Sequence, residues 1–199
     1  MAFPAQAFLV VRFPLASSRF IMNQVVDKLR GGDRRSIGRS NEVVMEVLAA
    51  PDLFSEVFDG LLSDAMRRCA GEGIVQRPAM LQPYKARLLD EAAAIPQQEV
   101  QWHVAQTCLP DRQVCGYLEL NAAEKTRVAG IMESYLATSS SAIVRVMALQ
   151  TLADLALHDQ AFASRAVALL QEQIARGSPT VVSRGKKLLR SLEDRDVSP

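Results

Sequence analysis

Residues 139–157, SSSAIVRVMALQTLADLAL, constrain the fold more than any other stretch of the chain. Ile143, Val144, Ala148, Leu152 and Leu155 lie one, four, four and three residues apart, a spacing that predicts an amphipathic helix with one broad apolar stripe. Ser139, Ser140 and Ser141 stand just before it, with side-chain oxygens able to accept from the N–H groups that a first helical turn leaves unpaired. Other segments carry the same pattern less perfectly, so the rest of the chain can be aligned to this one.

Along the chain, MNQVVDKLR at 22–30 predicts a short helix ended by Gly31 and Gly32, and Ser40, Asn41 and Glu42 predict a second one running through Ala49. Leu53, Phe54, Val57, Phe58, Leu61 and Leu62 form a stripe for a core helix. AMRRCAGEGIVQ follows as a weaker helix, because Gly71 and Gly73 each cost about 1 kcal/mol relative to Ala. Tyr84, Leu88 and Leu89 mark a helix that ends before Pro96, and EVQWHVAQ one that halts near Pro110. After an irregular stretch at 111–120, Asn121 and Glu124 have capping-box spacing and open a helix through Val128, Ile131, Met132, Tyr135 and Leu136. Phe162, Val167, Leu169, Leu170 and Ile174 predict another, closed by Gly177, and Ser178-Pro179 starts the last. No β-rich stretch competes, so the expected class is all-α.

At 199 residues and 49% hydrophobic content the chain is long enough to bury a substantial core. The formal net charge of +1 excludes a global field that would by itself recruit nucleic acid or an anionic membrane. Cys69, Cys108 and Cys115 are odd in number and form no CxxC pair, which points to a reducing, cytoplasmic setting rather than a disulfide framework. The apolar run at 7–11 is too short for a signal h-region or a membrane span, and no basic residue precedes it. Residues 1–21 are therefore expected to be a poorly ordered leader, or an extension upstream of a start at Met22.

Pairing the helices places Met66-Arg67, Val100-Gln101, Val144-Arg145 and Val182-Ser183 in register, with offsets of 34, 44 and 38 residues. SSAIVRVMALQTLADLA, and more weakly EVQWHVAQ and DAMRRCAG, resemble the HEAT-like (HEAT/armadillo-type) helical repeat family, whose two-helix units repeat every 40–47 residues or so. The resemblance implies a right-handed α-solenoid: capping helices with a basic loop at 22–50, about four helix pairs at 51–193 and a disordered tail at 194–199. It also implies a structural ladder in which an arginine of each second helix pairs with an acidic group near the turn between helices. Arg67 and Arg145 match that position, while Gln101 and Ser183 do not.

Function is less constrained. His103 and His158 have no second ligand at metal-binding spacing, and no GxSxG-type loop brackets a nucleophile, so no metal, cofactor or catalytic residue is expected. Arg34, Arg35 and Arg39 lie among glycines in a loop that can hold an anion, although without Walker-type spacing. On a wheel of 100° per residue, Val100, Val104 and Ala105 face a core while Trp102, His103 and Gln106 face away, with Val146 and Gln150 as their counterparts one repeat later. Second helices line the concave surface of such stacks, so these five residues are expected to bind a protein partner, as a non-enzymatic scaffold. The alternative is an alkylpurine DNA glycosylase of the HEAT-like class, which holds damaged DNA with a concave tryptophan, an aspartate and an arginine. Trp102 and Arg145 echo that set, but Gln106 stands where the aspartate belongs and the near-neutral charge disfavours nucleic acid.

Overall fold

A computed structural model describes residue 28 and residues 39–61, 81–108 and 118–197. The described residues are helical, with no strand among them. The helices are α1 (Ser40–Ala49), α2 (Phe54–Leu61), α3 (Lys85–Glu91), α4 (Gln98–Thr107), α5 (Ala122–Thr138), α6 (Ala142–His158), α7 (Ala163–Arg176) and α8 (Pro179–Val197). Short 3₁₀ turns lead into α2, α3 and α7, and a fourth, Ala92–Ala94, follows α3. The expected helix at 22–30 lies outside the described residues except for Lys28, and so does the weak helix that contains Arg67.

Local chemistry explains most boundaries. Asn121 Oδ1 accepts from Glu124 N at 3.0 Å and Glu124 Oε2 from Asn121 N at 2.8 Å, so the capping box forms and satisfies two donors at the start of α5. Ser141 precedes α6 but makes no side-chain cap; Ser139 Oγ instead accepts from Ser141 N at 3.3 Å. Between α7 and α8 glycine is required by crowding rather than by backbone angle. A Cβ on Gly177 would lie 2.5 Å from Gln173 O and 2.8 Å from Val181 Cγ1, and one on Gly185 would lie 2.9 Å from Ile174 Cγ1. Those two positions let α7 and α8 approach closely.

One core cluster includes residues from Val43 to Leu192, and α6 is its centre. This helix packs against α4, α5, α7 and α8. It therefore buries Leu149, Ala153 and Ala156 as well as Val144, Ala148, Leu152 and Leu155. The expected single stripe is corrected to burial on several sides, as a helix surrounded by neighbours requires. Ile143, assigned to that stripe, is 48% exposed.

The helices fall into two rows. The second helices α4, α6 and α8 form one: α6 touches both of the others, and Thr151 Oγ1 lies 2.9 Å from Ala105 O across the α4–α6 contact. Buried positions of α4 recur in α6 after 44 residues (Val100 and Val144, Val104 and Ala148, Ala105 and Leu149). From α6 to α8 the matching offset is 37, because Val181, Gly185, Leu188 and Leu192 are the buried set of α8. The expected offset of 38 through Val182 is thus off by one residue. Where α6 buries Leu149, Ala153 and Ala156, α8 has Lys186, Arg190 and Glu193, all exposed. No later helix covers that side among the described residues, and the charged residues close it.

The first helices α3, α5 and α7 form the other row, joined by a charge ladder. Arg87 pairs back to Asp59 of α2, Arg127 to Asp90 of α3 and Arg165 to Glu133 of α5. The three arginines are 40 and 38 residues apart. Lysines reach the other way: Lys85 Nζ lies 2.8 Å from Glu124 at the start of α5, and Lys125 Nζ 3.3 Å from Asp159 at the turn before α7. Glu124 and Asp159 also accept from backbone N–H groups of their own first turns, where the helix end favours an anion. The ladder expected on the second helices is corrected accordingly. Among the described residues Arg145 meets no acid; its Nε donates to Gln173 Oε1 of α7 at 3.2 Å. Finally, α8 continues through Val197, so residues 194–197 are helical rather than a disordered tail.

Candidate functional site

The face of interest is built on α4 and α6. Trp102 and Gln106 of α4 and Val146 and Gln150 of α6 are all half-buried and share the 44-residue register. Trp102 is packed in part against the core, and its indole stacks on the His103 ring with centroids 3.6 Å apart. Gln150 Nε2 donates to Asp154 Oδ1 at 2.7 Å, while the Arg184 guanidinium of α8 donates to Gln150 Oε1. The face thus runs across all three second helices.

His103 does not belong to it. The side chain is 4% exposed, which corrects the wheel assignment that turned it outward. The wheel assumes one core direction, whereas Val100, Gln101, His103, Val104, Ala105 and Thr107 are all buried on α4, and the Trp102 indole lies on the His103 ring. Met147, at the matching position of α6, is half-buried. Burial lowers the pKa of His103 to about 4, so the imidazole is neutral at physiological pH, and its Nδ1 has no hydrogen-bond partner among the described residues. Cys108 is buried on the same helix, and burial pushes its thiol up to about 12. A thiol so far from its thiolate is a poor nucleophile at neutral pH. Tyr135 is buried too: its hydroxyl donates to Ala92 O at 2.7 Å, and burial first, then Cys108, raises its pKa.

No family model, curated protein or solved structure matches this chain.

The remaining expected site residues are dispersed. Arg39 precedes α1 and is exposed, with its Nε on Glu42 Oε1 at 2.8 Å, so its guanidinium serves a carboxylate three residues away. Arg34, Arg35 and Arg67 lie outside the described residues. Arg145 is committed to Gln173, itself 3% exposed. No three His, Cys, Asp or Glu side chains converge as metal ligands among the described residues, and no described helix is long and apolar enough to cross a membrane. Two residues missed from the sequence, Asp154 and Arg184, meet the face through Gln150; the 37-residue step leads from Val146 and Gln150 to Ser183 and Lys187, so repeat spacing does not mark Arg184.

Proposed function

We propose that this chain is a HEAT-like, right-handed helical solenoid acting as a non-enzymatic cytoplasmic scaffold, and that it binds a partner protein through the face carrying Trp102, Gln106, Val146 and Gln150. Three features support the solenoid: the 44- and 37-residue steps of the second helices, the 40- and 38-residue steps of the arginine ladder, and the charged closing side of α8. Close packing along the α4–α6–α8 row, against the scant backbone contact between α5 and α7, fits a curve with the second helices inside.

The observation that carries the binding assignment is the composition of the face. A half-buried tryptophan and valine sit among two amides and one carboxylate, the mixture typical of an anchor pocket with a polar surround. The DNA glycosylase alternative has less to stand on, since Arg145 is occupied by Gln173 and no lysine or arginine lies beside Trp102 on α4. Capture from cell extract tests the proposal. Trp102→Ala and Gln150→Ala are expected to lose the proteins retained by the wild type while keeping helical content. Retention of the same proteins by a folded Trp102→Ala variant would remove the assignment.

A further inference from the structure

The second helices repeat in position but not in residue type. Trp102 and Gln106 on α4 and Val146 and Gln150 on α6 are followed on α8 by Ser183 and Lys187. Arg184 extends from α8 onto Gln150, and Lys186 stands exposed next to Lys187. The face therefore changes along the row from apolar to cationic.

These cations differ from those of the first helices and share the lack of a carboxylate partner among the described residues with Arg145 of α6, which donates to Gln173, and Arg190 of α8, which donates to Lys186 O. On α3, α5 and α7, Lys85, Arg87, Lys125, Arg127, Arg165 and Arg176 each have a carboxylate within ion-pair distance. Arg184, Lys186 and Lys187 have none among the described residues. Asp154 of α6 accepts from Gln150, the same side chain on which the Arg184 guanidinium rests. A run of unneutralised cations beside an apolar anchor complements a ligand with an apolar side chain and carboxylates.

Resting on the scaffold reading above, we infer that the ligand is an acidic, extended segment of the partner protein. Its apolar residue sits on Trp102 and Val146 and its carboxylates meet Arg184, Lys186 and Lys187. Neighbouring helix axes lie roughly 8–10 Å apart, so α4 and α8 are separated by about 16–20 Å. Extended chain rises about 3.3 Å per residue, which puts the acidic group about five or six residues from the apolar anchor.

The test uses the full chain and a fluorescein-labelled peptide of about twelve residues, with a Leu-Phe pair and four glutamates centred about six residues beyond it. A counterpart carries glutamines in place of the glutamates; a single-stranded oligonucleotide and anionic phospholipid vesicles serve as alternative probes. Anisotropy gives affinity, and emission of Trp102, the only tryptophan, reports where the peptide sits. The glutamate peptide is expected to shift that emission and to bind about tenfold more tightly than the glutamine peptide at low salt. The paired reversals Lys186→Glu and Lys187→Glu, at exposed sites, are expected to remove that advantage with the melting curve unchanged. Equal affinity for the two peptides, binding of neither, indifference to the reversals, or binding only of oligonucleotide or vesicles would each overturn the inference. The scaffold reading is judged separately: if Trp102→Ala still empties the extract capture while the charge reversals do not, the face binds a protein of different chemistry.

Discussion

The two rows of helices are held together by different forces. Along α4, α6 and α8 the packing is mainly apolar, with Leu149, Leu152 and Leu155 of α6 at 2% exposure or less, and hydrogen bonds from Thr151 to Ala105 and from Arg184 to Gln150 add to it. Along α3, α5 and α7 they are side-chain ion pairs near the surface, and the two members of the Arg127–Asp90 pair are 42% and 66% exposed. Burying a leucine removes apolar area from water and contributes about 1.5–3 kcal/mol. An exposed ion pair contributes about 0–1 kcal/mol, because water and salt screen it and two long side chains lose freedom. The second row thus supplies stability, and the first supplies a register in which each arginine finds its acid only when neighbouring repeats are correctly spaced.

The largest expected effect lies in the second row. Leu152→Ala should destabilise by about 2–5 kcal/mol in denaturant melts, the range for a buried large-to-small change. If Arg127→Ala cost as much, the contrast between the rows would fail.

Next in size is an acid-dependent loss at His103. Its folded pKa, near 4, lies below the value of about 6.5 for the unfolded chain. The unfolded chain therefore takes up the proton first as pH falls, and stability drops between about pH 6.5 and pH 4, by up to about 3 kcal/mol, and levels off below. Above about pH 6.5 the residue has no such effect. His103→Met, which copies Met147 of the next repeat, should remove this part of the dip; identical pH profiles for the two proteins would show that the second row is not closed around His103.

Gly177→Ala sharpens the comparison at the junction between the rows. The added carbon meets Gln173 O at 2.5 Å, and a backbone atom cannot swing aside, so a loss of about 1–3 kcal/mol is expected from thermal melts. An unchanged melting temperature would mean that α7 and α8 are not as close as described.

Removing one rung, Arg127→Ala, should cost about 0–1 kcal/mol, and less as salt is raised. The smallest effect on stability belongs to Gln150→Ala, within about 0.5 kcal/mol, despite its expected loss of partner capture. A large destabilisation there would make Gln150 part of the seam rather than of the binding face.

Much of the helical frame is legible in residue spacing. The capping box at Asn121, the buried set Val128, Ile131, Met132, Tyr135 and Leu136, and the limits of α1 at Ser40 and Ala49 all follow from signals within one or two turns of chain. The candidate face was legible only in part: Trp102, Gln106, Val146 and Gln150 are half-buried, with Trp102 and Val146 packed against the core, and His103 is buried. The arginine ladder was also written in the sequence, as Lys85 and Arg87 followed 40 residues later by Lys125 and Arg127. The resemblance implies a ladder on the second helices, whereas these pairs lie on the first.

What the sequence determined by itself was the class of structure, because helix signals are local: a cap, a spacing of three or four, a glycine at a junction. What only the tertiary structure decided was how many sides of each helix are covered. A hydrophobic wheel assigns one inside and one outside, but α6 has four helical neighbours, and α8 loses part of that cover because the described helices end there. The same wheel angle is therefore buried as Leu149 on α6 and exposed as Lys186 on α8, since burial depends on which helices stand alongside, and that is not encoded within any single helix.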